Sequence, residues 1–498
     1  MRRTAGVWLA AMLLMGCVPV VMADGPPELP AGLEEAEAPD TGPAVPPGLE
    51  DGDEDAGPAL PAGLEDDEGP ALPAGLDGGG AEPPGGEQEP EDRFELPFDF
   101  GGFLDVRGGV RTQHPAHQSQ ASLGEARLQL QAEKYWEGFN FKLTTDLLYD
   151  AVTDHHAVNL ERGKGFLDLR EASVGFEPAD FLTVKAGRQI LTWGTGDLLF
   201  LNDMFPKDWQ SFFIGRDVEY LKAPSDAVKL SAFSDIVNAD FVYTPRFDPD
   251  RFIEGRRISY YSAAAGGIVG QDRIVRAAIP NEWFRDAEYA GRLWQTVEGV
   301  ELAGYGYWGR WKSPGGQDML GRATFPRLNV YGASARGQLG DGIANVEAAY
   351  YRSIEDDDGD DPLVSNSQFR LLIGYERDLP EIAHDLTVAG QYYLEWMCDY
   401  DAYRRALPRG VPREDEDRHV VTLRVTKKLM NQNLILSFFG YYSPSDSDAY
   451  LRPSVTYKID DNWTVEAGGN VFLGARNHTF FGQFERNTNV HASVRYAW

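Results

Sequence analysis

The chain has 498 residues, and its 78 acidic side chains outnumber 46 Lys and Arg, for a formal net charge of −32. That balance excludes a duplex nucleic-acid binder, which needs basic patches against phosphate, and 2 cysteines exclude a disulfide framework or a four-thiolate metal site. Past the first residues there is no uninterrupted apolar run of about 18, which excludes a helical membrane protein and leaves a secreted soluble protein or a transmembrane β-barrel.

Residues 1–23 read as an export signal. Arg2 and Arg3 form a basic start, Val7 to Met15 an apolar stretch, and Val21-Met22-Ala23 a cleavage site with small residues where a signal peptidase needs them. A second reading stays open, in which Leu14-Met15-Gly16-Cys17 is a lipoprotein box and Cys17 is acylated. Residues 24–97 carry 22 carboxylates against the single base Arg93. A hexapeptide recurs in them as Leu29–Glu34, Val45–Glu50, Leu60–Glu65 and Leu72–Asp77, at spacings too irregular for stacked repeats. Proline stiffness, glycine flexibility and like-charge repulsion predict a disordered periplasmic tether that cannot bury enough apolar surface to order itself. Its repeats are either a solvated spacer or docking sites for a periplasmic partner, with repetition raising the effective concentration.

From Phe98 the period becomes two. Leu128, Leu130 and Ala132 alternate with Arg127, Gln129, Gln131 and Glu133, and after the Glu137-Gly138 turn Phe141 and Leu143 alternate with Lys142 and Thr144. The same pattern recurs at Val421–Thr426, Leu451–Lys458 and Val490–Trp498. Half-wet strands of about 10 residues with aromatics near their ends fit an outer-membrane barrel over residues 98–498. Short turns are expected near 137–138, 177–180, 234–235, 298–299, 340–342, 378–385, 430–433 and 460–462. Longer loops are expected at about 113–121, 151–165, 193–225, 245–285, 312–326, 355–367, 398–418, 443–449 and 474–486. Strict alternation of these connections predicts an all-β, antiparallel transmembrane β-barrel of about 18 strands, with 16 possible because the strand at 286–296 is weak. Both barrel ends then lie in the periplasm of a Gram-negative bacterium, with lipid and lipopolysaccharide around the wall.

The strand ending in Trp498 resembles the terminal aromatic strand of outer-membrane proteins. Gly187, Arg188, Gln189, Trp193 and Gly194, followed by Asn202-Asp203 and Pro206, resemble a strand and loop of large porins of the alginate-export and related uncharacterised porin-like families. That resemblance implies a wide barrel passing small molecules. Alginate exporters line their pore with an excess of Arg and Lys, and this chain departs from them.

The polar faces place Arg127, Lys142, Arg370, Arg424, Arg452, Lys458 and Arg495 in the lumen with Glu133, Asp146, Glu376, Glu395 and Glu466, a mixed ladder suited to small hydrophilic or amphiphilic solutes. The same residues also read as a ladder of structural salt bridges. The loop from Trp193 to Pro224 interleaves Phe200, Phe205, Trp209, Phe212, Phe213 and Tyr220 with Asp203, Lys207, Asp208, Arg216, Asp217 and Lys222. So many large rings need cover, and folding inward as a constriction provides it. Packing against loop 245–285 as an outer cap, or a lipid or partner contact, is the alternative.

No nucleophile elbow, His-Glu-x-x-His or phosphate-cradling loop occurs, so no enzyme and no cofactor is expected. The acidic run Glu355–Asp361 reads as a hydrated surface loop, a bridge to lipopolysaccharide through divalent ions, or a specific Ca²⁺ site. The function expected is a porin-like channel. The alternative is an export or structural barrel recruited to an envelope-spanning complex through the tether.

Overall fold

The computed structural model describes residues 98–115, 117–153 and 157–498. The export signal, the Cys17 alternative and the tether all lie outside the described residues. The strands are β1 (Asp99–Arg111), β2 (Ala121–Trp136), β3 (Phe139–Asp150), β4 (Leu167–Ala179), β5 (Leu182–Ile190), β6 (Pro224–Ala232), β7 (Asn238–Thr244), β8 (Glu288–Val297) and β9 (Val300–Arg310). They continue as β10 (Arg327–Leu339), β11 (Gly342–Ser353), β12 (Gln368–Asp378), β13 (Leu386–Met397), β14 (Asp417–Leu429), β15 (Leu434–Ser443), β16 (Asp448–Lys458), β17 (Trp463–Gly474) and β18 (Asn489–Ala497).

Each strand pairs antiparallel with its sequence neighbours in one 18-stranded sheet. β1 closes the ring on β18, with Asp105 opposite Arg495 and Arg111 opposite Asn489. Closure leaves the sheet no free edge, which is what permits strands to stand in lipid. All eight short turns and all nine longer loops fall where the alternation places them. The weak strand at 286–296 is β8, bonded to β7 and β9, so the count is 18 and not 16. The tight turn before β9 works because Glu298 and Gly299 both take positive φ, +50° and +80°.

Period-two alternation sorts the side chains. Leu293, Leu302, Val346, Ile373, Val421, Leu423, Val455 and Val494 are exposed outward. Toward the long-loop end this apolar band is edged by Tyr149, Tyr289, Trp308, Tyr331, Tyr350, Trp396 and Tyr442, and toward the short-turn end by Trp136, Phe139, Phe181, Phe233, Trp463 and Trp498. An apolar band between two aromatic girdles is the signature of a barrel wall in a bilayer.

The buried core lies inside the ring. Leu191, Leu199, Phe200, Phe205, Trp209, Phe212, Phe213 and Ile214 of the segment between β5 and β6 form one cluster with wall residues Tyr351, Tyr393, Tyr441, Tyr450 and Phe472, and with Phe247, Phe252 and Phe484 of two other long loops. The segment between β5 and β6 thus packs both on wall residues of the ring and on Phe247 and Phe252 of the loop between β7 and β8.

Candidate functional site

The inward segment 191–223 leaves β5 through Gly194, whose φ of +100° turns the chain off the strand direction. Six of its rings (Phe200, Phe205, Trp209, Phe212, Phe213 and Tyr220) are at most 6% exposed. A short helix, α1 (Trp209–Ile214), crosses the interior, capped by Asp208 accepting from the Ser211 amide at 2.8 Å. Phe213 lies 5.2 Å from the Tyr450 ring, 5.3 Å from Phe472 and 5.1 Å from Phe484, a cage built from β16, β17 and the last loop.

Irregular backbone inside a barrel has carbonyls to satisfy, and the wall supplies donors. The hydroxyl of Tyr351 donates to the Leu201 carbonyl at 2.5 Å, Tyr441 to Leu198 at 2.9 Å and Tyr450 to Phe212 at 3.3 Å. Arg107 donates to the Gly215 carbonyl at 2.7 Å. The amides are gathered by Glu347 on β11, which is 1% exposed. Its Oε1 accepts from the Thr195 amide, from the Thr195 hydroxyl at 2.9 Å and from the Gly196 amide at 2.8 Å, and its Oε2 accepts from Asn202 Nδ2 at 2.9 Å. A carboxylate with this many donors is a clamp on the segment. Asn345, two residues away on the same face, donates to the Thr195 carbonyl at 2.8 Å.

Close approach is part of the clamp. A Cβ on Gly332 of β10 would meet Asn202 Oδ1 at 1.8 Å. Gly332→Ala is expected to push Asn202 off Glu347 and loosen the segment while the barrel still forms; a proteolysis assay cutting near 195–202 in the variant only would check it.

The seven charged or aromatic residues read from the sequence as constriction residues divide into two groups. Asp203, Lys207, Asp208 and Trp209 are buried and hold the segment itself. Lys207 pairs with Asp203 at 2.9 Å, its ammonium stacks on Phe200, and Asp250 receives the Lys207 amide and the Trp209 indole at 2.8 and 3.1 Å. Burial raises the Asp250 carboxyl, against the pull of those donors and of Ser313. Arg216, Asp217 and Lys222 lie toward the wall. Arg216 pairs with Glu125 at 2.6 Å, and Asp217 pairs with Arg107 at 2.7 Å and with Arg495. Lys222 is half-buried, and its carbonyl accepts from Arg170 at 2.9 Å.

All twelve residues read as lumen-lining stand on the inward face. Arg127, Asp146, Arg370 and Glu395 are buried under the inward loops, Arg127 pairing with Asp146 and Arg370 with Glu395 at 3.5 Å. Glu133, Lys142, Glu376, Arg424, Lys458, Glu466 and Arg495 are half-buried, toward the short-turn end, and Arg452 is half-buried nearer the long-loop end of β16. Lys142 bridges Glu133 at 3.1 Å and Glu171 at 3.2 Å, Lys185 follows at 3.7 Å from Glu171, Lys229 meets Asp240 at 3.4 Å, and Arg292 meets Glu301 at 2.6 Å. Arg424 joins Glu376 and Asp197, and Glu466 accepts from Arg107 at 3.2 Å. Acids and bases thus pair across neighbouring strands in the lower lumen, except where Lys185 stands opposite Lys229. Arg452 differs: its guanidinium lies 4.0 Å over Phe212.

The residues of the porin-like motif frame the segment's root. Gly187 takes φ +119°, where a Cβ would stand 2.3 Å from the Ala172 carbonyl. Arg188 bonds both oxygens of Asp226 at 3.0 and 3.1 Å and the carbonyls of Leu160 and Leu169. Gln189 donates to the Ala227 carbonyl, and Trp193 packs edge-on to Phe205 at 5.0 Å. Glu347 and the three wall tyrosines carry no sequence motif. Their only signal is the inward phase of β11, β15 and β16.

A closed, even-stranded barrel with short turns at one end, long loops at the other and an apolar outer band is an outer-membrane β-barrel, and the inward segment makes it one with a partly filled lumen. No family model matches the chain, and no curated protein matches it either. Solved structures do match in fold. Acinetobacter baumannii OccAB4 aligns with a TM-score of 0.48 at 9% identity, over 80% of this chain and 97% of that one. Pseudomonas aeruginosa OccK11 (OpdR) aligns with a TM-score of 0.46 at 10% identity, over 80% and 95%. Salmonella typhi OmpF in complex with daunomycin aligns at 0.39 and 10%, over 80% and 97%. The finer likeness to alginate-export porins rests on the 187–206 residues alone.

Proposed function

We propose that this protein is a porin-like channel of the outer membrane, passing small hydrophilic or amphiphilic solutes through a mixed-charge lumen narrowed by segment 191–223. The observation that carries the reading is the division of the interior. The long-loop half is packed by a segment clamped to the wall, and the short-turn half keeps a belt of half-exposed acids and bases. A belt of mixed sign sets a transverse field across water and selects by size and dipole more than by charge. On the loop side a cleft lined by Glu395, Glu414, Arg418, Asp446, Arg476 and Thr479 supplies the mouth. The arrangement suits passage and not chemistry, and its lipid and lipopolysaccharide contacts lie on the apolar outer band.

The test is single-channel conductance of the full chain in planar bilayers. Ohmic steps with weak ion preference are expected. Arg424→Gln removes the base paired with Glu376 and Asp197 and is expected to raise the cation-to-anion permeability ratio severalfold at low salt, with little change at 1 M, where the Debye length is about 3 Å. Absence of steps from both proteins, with folding shown by gel mobility, would overturn the channel reading.

A further inference from the structure

Three carboxylates from separate elements meet at the long-loop rim: Glu161 between β3 and β4, Asp226 at the start of β6, and Asp248 between β7 and β8. One oxygen from each lies within 4.8 Å of the other two. By contrast the acidic run 355–361, the loop whose composition suggested Ca²⁺, does not form such a group among the described residues; Asp356 there accepts the amides of Asp360 and Asp361.

The hydrogen bonding at the rim is incomplete at one atom. Asp248 is 3% exposed. Its Oδ2 accepts from the Ser225 hydroxyl at 2.7 Å and the Asp226 amide at 3.0 Å, and its Oδ1 has no hydrogen-bond partner. The surrounding charges do not repair this. Arg246 pairs with Glu161 at 2.5 Å, Arg188 with Asp226 at 3.0 Å, and Lys312 with Glu288 at 2.6 Å. Lys312 gives Asp248 only a bond to its backbone carbonyl, at 3.0 Å. Three bases thus serve three of the four carboxylates, and among the described residues no ion pair reaches the Asp248 side chain. A buried carboxylate oxygen without donor or cation is costly.

We propose that Glu161, Asp226 and Asp248 form a divalent-cation site at the outer rim, of the class that takes Ca²⁺. The donors are all oxygen, which favours a hard cation over zinc or copper, and Ca²⁺ tolerates irregular geometry with water completing its shell. Arg188, 3.0 Å from Asp226 and 4.0 Å from Glu161, and Arg246 on Glu161 reduce the affinity, which fits a surface exposed to abundant divalent ions. Bound there, the ion ties loop 151–166 and loop 245–287 to the top of β6.

The test is Tb³⁺ luminescence of the folded full chain in detergent, with Ca²⁺ as competitor. One saturable site displaced by Ca²⁺ is expected, with at least a tenfold weaker Kd in Asp248→Asn and in Glu161→Gln. The second variant alters a more exposed side chain and keeps the test valid if the first misfolds. An Asp357→Asn/Asp358→Asn protein is expected to bind as the parent does. Binding unaffected by the two rim variants, lost from the acidic-run variant, or not saturable in the parent would overturn the proposal. Conductance is read separately, so a failed cation site leaves the channel reading intact.

Discussion

Glu347→Ala is expected to release residues 195–202 from the barrel wall and to increase single-channel conductance severalfold while the barrel itself still forms. The carboxylate is the common acceptor for two backbone amides, a hydroxyl and the Asn202 amide. Removing it leaves buried donors without partners at about 1–3 kcal/mol each. The strand ladder does not share that loss, because β11 keeps its registers with β10 and β12. Glu347→Gln retains one acceptor oxygen and the side-chain shape, and its conductance is expected to fall between those of the parent and the alanine variant. Heat-modified gel mobility would show that all three proteins fold. Equal conductance in all three would mean that the segment does not limit the path.

Phe213→Ala is the second change of large expected effect. The ring is 2% exposed and caged by Tyr450, Phe472 and Phe484. Truncating such a side chain costs about 3–5 kcal/mol, and more where the cavity cannot collapse. A barrel wall fixed by closed hydrogen-bonding is a surface that cannot collapse. The cost therefore falls on α1 and on the Gly215–Asp217 stretch, where Arg107 and Asn489 hold the segment from outside the cage. The expected readout is protease sensitivity confined to 209–217 together with larger, noisier conductance steps. Phe213→Leu refills most of the volume and is expected to restore the parent behaviour. Unchanged steps in Phe213→Ala would show that the tyrosine and Glu347 bonds hold the segment without its rings.

Much of this was legible in the residues because a strand's side chains alternate with period two. Arg127, Glu133, Lys142 and Glu466 could be put on the wet face without knowing what they would touch. Turn chemistry did the rest for the ring: Glu298-Gly299 and Glu137-Gly138 mark tight reversals, and alternating short and long connections lead to 18 strands. The inward fold of 191–223 was also legible, because six large rings cannot remain in water. Partners were a different matter. Glu347 meets Thr195 across 152 residues of sequence, and Tyr450 meets Phe212 across 238. Alternation gives the face of a residue, but its depth in the barrel and the wall it opposes depend on strand tilt and closure. Those emerge only when the ring is complete. Hence tertiary structure alone decided that Asp203, Lys207 and Asp208 hold the segment from within, that Arg452 rests on Phe212, and that the carboxylates converging at the rim are Glu161, Asp226 and Asp248. The pairing of β8 with both neighbours likewise settled 18 strands over 16; the sequence by itself determined a barrel, its two faces and the burial of one loop, because these follow from local periodicity and the cost of wet apolar surface.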